Sequence, residues 1–129
     1  MAPHGDPNST PAVTPPFPGA WFAVGPGVFV EPTQFVVWRR GQPLQPLTPL
    51  EWRVLEALGT QRPRVVSRDA LLRVAWPDEA RDHADLYSLI WRLRYLVETD
   101  PHRPRVLVGR RGYGYAWRGA WPPCETNLR

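Results

Sequence analysis

The sequence predicts an α+β domain in which three helices lie between a small N-terminal antiparallel sheet and a C-terminal β-hairpin. Three observations carry this expectation. Residues 21–47 hold short β-branched and aromatic runs punctuated by glycine and proline. Residues 48–97 hold capped helix starts followed by apolar residues at helical spacing. Residues 105–118 hold two short strands around a glycine-rich, arginine-bearing turn.

Each element follows from its residues. Residues 1–18 carry prolines at 3, 7, 11, 15, 16 and 18 and few large apolar side chains. Too little surface can be buried there to offset ordering entropy, so a disordered arm is expected. Val28-Phe29-Val30 and Phe35-Val36-Val37-Trp38 read as strands, and Arg40-Gly41 as a hairpin turn leading to Pro43-Leu44-Gln45. The first helix opens at Thr48 with Pro49 in the first helical position and Glu51 closing a T-x-x-E capping box. Trp52, Val54, Leu55 and Leu58 mark its buried face, and Gly59 is expected to end it. Val65-Val66 is a short extended link, Ser67 caps a second helix carrying Ala70, Leu71, Val74 and Ala75, and Trp76-Pro77 stops it.

The third helix is the most regular. Asp82 or Asp85 caps it, and Leu86, Leu89, Ile90, Leu93, Leu96 and Val97 form one stripe. Tyr87, Ser88, Trp91 and Tyr95 fall on the opposite face, with Arg92 and Arg94 on the flanks. The closing hairpin has arginines at 103, 105, 110, 111 and 118 and no acid. The folded domain is expected over residues 19–119, with 120–129 a flexible tail from which Trp121 is large enough to dock.

Composition narrows the function. The formal charge is +4 with a pI near 10.0, a balance that favours a polyanionic partner. All sixteen cationic residues are arginine. A GC-rich coding bias accounts for that choice, although the planar guanidinium also suits phosphate and guanine. Cys124 is the sole cysteine and the three histidines share no ligand spacing, so neither a disulfide nor a metal site is expected, and no cofactor. No segment is apolar enough to span a membrane and no signal peptide opens the chain, which points to the cytoplasm. No nucleophile–base pair, paired carboxylates or phosphate-cradling loop suggests an enzyme.

Sheet, helix, short link, helix, longer helix and basic hairpin make the order of a winged helix-turn-helix, whose last helix enters the DNA major groove. The residues also resemble the OmpR/PhoB-type DNA-binding domain. The resemblance rests on Leu47-Thr48-Pro49-x-Glu51, on Leu55 and Leu58, and on Val65-Val66-Ser67-Arg68 with Leu71, Leu72 and Trp76. Ile90-x-Arg92-Leu93-Arg94 and Arg111-Gly112-x-Gly114-Tyr115 complete it. It covers roughly residues 21–118.

The resemblance implies a bacterial, sequence-specific, double-stranded DNA-binding transcription regulator, with residues 83–98 in the major groove and wing 109–114 at the minor groove. It implies base contacts from Ser88, Arg92 and Arg111, and backbone contacts from Trp76, Arg94 and Tyr115, to which Trp91 and Arg110 are added as backbone candidates. It also implies that the loop bearing Asp78, Glu79 and Asp82 touches RNA polymerase; the residues alone read as a solvated acidic loop complementing a helix N-terminus. Family members carry a receiver domain for which 129 residues leave no room, so action without one is expected, as a monomer or weak dimer, or in tandem on DNA repeats. The chain departs from the family at Ala84-Asp85, Leu89, Trp91 and Gly109, losing customary phosphate contacts. Those losses, with the Tyr87, Trp91 and Tyr95 stripe, leave open a second use of the fold as a protein-contact module.

Overall fold

The computed structural model describes residues 14–122. Four strands, β1 (Phe22–Gly25), β2 (Val28–Glu31), β3 (Val36–Arg39) and β4 (Gln45–Pro46), form an antiparallel sheet in sequence order. Alternation places Val28 and Val30 inward with Phe29 between them, and β3 adds Val37 from the next strand. Gly41, at φ +78°, turns the chain from β3 towards β4 as the Arg40-Gly41 signal predicts.

Helix α1 (Pro49–Gln61) begins as expected: the Thr48 hydroxyl accepts from the Glu51 N–H and the Glu51 carboxylate accepts from the Thr48 N–H. Its end is not where glycine predicts. Gly59 lies inside the helix, buried, and its role is tertiary: a Cβ there would sit 2.1 Å from Trp121 Cδ2. Trp121 stacks on Trp52 at 5.8 Å between centroids and meets Trp117 and Phe22 edge-on at 5.7 and 5.0 Å. Trp121, which the sequence reading places in the tail as able to dock, belongs to the core cluster. Gly59→Ala is expected to expel Trp121 and destabilise the domain by about 2–3 kcal/mol, read as a lowered Tm together with a red-shifted tryptophan emission. Residues 123–129 of the expected tail and 1–13 of the expected arm lie outside the described residues.

Helix α2 (Arg68–Ala75) is capped by Ser67, whose hydroxyl accepts from the Ala70 N–H, and stops at Trp76. Arg53 of α1 donates to the carbonyls of Val74 and Ala75, satisfying orphan acceptors at its C-terminus. Helix α3 (His83–Val97) is capped by Asp82, and all six residues of its predicted stripe are buried. The link at Val65-Val66 becomes strand β5 (Val66–Ser67), which pairs with β7 (Gly114–Trp117). Strand β6 (Leu107–Arg110) completes a second sheet of order β5-β7-β6, so the wing is fastened to the helices through its second strand. None of the helices described is long and apolar enough to cross a membrane.

Two buried carboxylates hold the ends of these elements. Glu31 accepts from the Thr33 hydroxyl and from the N–H groups of Thr33, Gln34 and Ala20. The Thr33 hydroxyl, followed by those amides, outweighs desolvation and holds its pKa below the ordinary glutamate value. A lowered folded pKa means stability that is complete above the unfolded value, about 4.3, and lost as pH falls through the folded one. The Tm difference between the native protein and Glu31→Gln is therefore expected to be constant at neutral pH and to shrink below about pH 4. Glu98, just past α3, accepts from the N–H groups of Arg105, Val106 and Leu107 at 2.6–3.2 Å, and so positions the approach to β6.

Candidate nucleic-acid interface

The outward face of α3 follows from its inward one. With Leu86, Ile90, Leu93 and Val97 buried, Tyr87, Ser88 and Tyr95 are exposed, the two tyrosines by 53% and 63%. Beside this face β6 and β7 meet in the turn Arg111-Gly112-Tyr113, with Gly112 at φ +79°. The turn is held from both sides. The Tyr113 N–H donates to the Arg110 carbonyl, and its own carbonyl accepts from the Arg68 N–H at the start of α2.

Between helix and wing runs a groove of about 270 Å³ lined by Arg68, Arg94, Arg110 and Arg111 with Tyr87 and Tyr115. No acidic side chain lines it. Four guanidinium groups with no carboxylate among them create a positive potential in a concave surface, where low-dielectric walls focus it. Arg110 and Arg111 are exposed at its lip. Arg68 is the member that sequence reading missed as a site residue. Its signal was the β5–β7 pairing, which brings the start of α2 beside the wing, and that pairing is not visible in a two-residue link.

The expected site residues divide into those the fold presents and those it uses internally. Ser88, Arg110 and Arg111 are presented. Tyr115 is half-buried and forms part of the groove wall; burial pushes its phenol pKa up, opposed by the charge of Arg94, whose guanidinium lies over the ring at 5.7 Å. Trp76 is half-buried with the Arg81 guanidinium 4.8 Å above its ring, and packs against the core.

Arg94, which the resemblance makes a phosphate contact, is only 8% exposed, and its Nε donates to the Leu107 carbonyl at 3.0 Å. It is a strut between α3 and β6. Arg92 is exposed and also has partners within the domain. Its Nε donates to the Glu51 carboxylate at 3.1 Å and an Nη donates to the Pro46 carbonyl at 3.4 Å, so one edge of the fork is engaged within the domain. Glu51 has only 9% side-chain exposure but keeps its capping bond from the Thr48 N–H, while the Arg92 side chain is 46% exposed. The pair draws Arg92 towards α1 at the modest strength of a surface ion pair. Trp91, expected to be an outward backbone contact, packs edge-on against His102 at 5.2 Å and is partly buried.

The acidic loop also finds local work. Glu79 pairs with Arg81 at 2.9 Å, and Asp82 caps α3. Arg81 itself covers Trp76 and approaches Asp85, so Glu79, Arg81 and Asp82 are tied to the end of α2 and the start of α3, while Asp78 is exposed.

A helix-turn-helix followed by a hairpin that packs beside the last helix defines the winged-helix class. The chain belongs to the family described as "Transcriptional regulatory protein, C terminal", which matches residues 41–117. This is a family of regulatory DNA-binding domains of the OmpR/PhoB type and not of enzymes. The DNA-binding response regulator MtrA of Mycolicibacterium smegmatis is 39% identical over 88 residues, which cover 67% of this chain and 37% of that protein. The chain thus spans little more than a third of that relative's length. Among solved structures, the response regulator DrrB of Thermotoga maritima, an OmpR/PhoB homolog, aligns with a TM-score of 0.64 at 28% identity over 75% of this chain and 43% of that one. The DNA-binding domain of Klebsiella pneumoniae RstA, solved in complex with the RstA box, aligns with a TM-score of 0.59 at 22% identity over 75% of this chain and 95% of that one. At that identity the likeness is one of fold.

Proposed function

We propose that this chain binds double-stranded DNA sequence-specifically and regulates transcription in the bacterial cytoplasm, with α3 in the major groove and the wing turn at the adjacent minor groove. The observation that carries the reading is the acid-free groove of Arg68, Arg94, Arg110 and Arg111 running beside the exposed face of α3. Ser88 faces base edges, while Arg111 at the wing tip enters the minor groove, where negative potential is enhanced. Arg68, Arg110, Tyr115 and the Trp76 indole N–H serve the backbone on either side.

The test is a salt titration of duplex binding by fluorescence polarisation. Each phosphate neutralised contributes about 0.9 to the slope of log K against log salt. Arg110→Ala combined with Arg111→Ala is expected to weaken binding at low salt and to flatten that slope by about 2. Both residues are exposed, so the fold is expected to survive. Binding that ignores salt and the double variant would move the reading to a protein-contact module.

A further inference from the structure

Both arginines of α3 have partners within the domain. They stand on the flanks of the helix, Arg92 drawn to Glu51 and the Pro46 carbonyl, and Arg94 buried against the Leu107 carbonyl. Arginine gripping guanine O6 and N7 is the commonest specific major-groove contact, and it needs a guanidinium free to point outward. Arg92 is 46% exposed but has Nε and one Nη engaged, and the outward surface beside it is Ser88 with the exposed Tyr87 and Tyr95, Trp91 half-buried among them.

We infer that α3 reads thymine methyl groups and A·T edges through this uncharged tyrosine–serine surface, rather than guanine through arginine. The inference rests on the DNA-binding reading above and specifies its ligand. Tyr87 and Tyr95 are eight residues apart, a rise of about 12 Å, which spans three to four base-pair steps of about 3.4 Å. Thymine is the one base that presents an apolar group in the major groove, and aromatic and aliphatic carbon is what contacts it. A hydroxyl both donates and accepts, so Ser88 suits adenine or thymine edges without demanding a guanine. The wing adds a separate preference of the same sign. Arg111, exposed at the tip of a turn held by the Tyr113–Arg110 and Arg68–Tyr113 backbone bonds, suits a narrow minor groove, and A-tracts have a narrow one.

The test separates this chemistry from DNA binding itself. A randomised duplex library is enriched on the protein, and the enriched pool is copied three ways: with ordinary nucleotides, with deoxyuridine replacing thymidine, and with 7-deazaguanine replacing guanine. Each substitution alters only a major-groove group, the thymine methyl or the guanine N7. Loss of the methyls is expected to weaken binding about tenfold, while loss of guanine N7 leaves it unchanged. The exposed pair Tyr87→Ala with Tyr95→Ala is expected to erase the difference between thymidine and deoxyuridine pools. A pool that tolerates deoxyuridine but loses affinity with 7-deazaguanine would overturn the inference and return Arg92 to base reading. Failure of the library to enrich at all would instead overturn the DNA-binding reading.

Discussion

Gly114→Ala is expected to detach the wing from the helices. A Cβ on Gly114 would lie 1.9 Å from the Val66 carbonyl oxygen and 2.8 Å from Ser67 Cα, both backbone atoms of β5. No side-chain rotamer relieves a collision with backbone, so the β5–β7 pairing at Val66–Tyr115 and Ser67–Gly114 must open. The pairing is what seats β7 on the helices, with Trp117 fully buried at its end. The expected cost is about 3 kcal/mol or more, a loss of Tm on the order of 15 °C for a domain of this size. DNA affinity is expected to fall further than stability alone explains, because Arg68 and Arg111 are held together through the same junction. A thermal melt and a binding isotherm taken well below the variant's Tm check the two effects separately. Native stability in Gly114→Ala would show that β5 yields, and that the junction is softer than its geometry implies.

Glu98→Gln carries the second large effect. The carboxylate is 1% exposed and its two oxygens serve three consecutive amides, Arg105, Val106 and Leu107. Glutamine offers one oxygen and turns an N–H₂ group towards amide donors that need an acceptor. Charge-assisted bonds to three amides become neutral bonds to two of them and a repulsive contact with the third, at an expected cost of about 3 kcal/mol. The amides of 105–107 are expected to lose hydrogen-exchange protection well before those of α1, since the damage lies where α3 hands the chain to β6. Uniform loss of protection across the domain would mean that Glu98 supports the whole fold and not the wing.

Much of this architecture is legible in sequence because local signals and tertiary packing agree. Thr48 with Glu51, Ser67, and Asp82 cap the helices they announce, and the stripe from Leu86 to Val97 is buried throughout. The failures occur where a distant residue decides. Gly59 has the local look of a helix stop, but it is small because Trp121, more than sixty positions later, lies against it. The site is legible to the same degree. A helical wheel puts Arg92 and Arg94 on the flanks of α3, and that is where they are. It cannot show that Glu51 and the Leu107 carbonyl wait on those flanks to claim them. Nor does any motif announce Glu98, whose partners become neighbours only once the chain has turned from α3 into β6.

The resemblance implies phosphate contact for Arg94, and in the structure its Nε also ties α3 to β6. Arg68 and Arg110 line the same groove as Arg94 and Arg111.

The most direct measurement is an amide chemical-shift map of the ¹⁵N-labelled chain titrated with duplex DNA. Perturbations concentrated in residues 84–95 and 109–115, with Arg68 joining them, are the predicted result. Shifts confined to the loop 77–82 or to the outer strands β1 and β2, with α3 and the wing unmoved, would contradict the assignment of the interface.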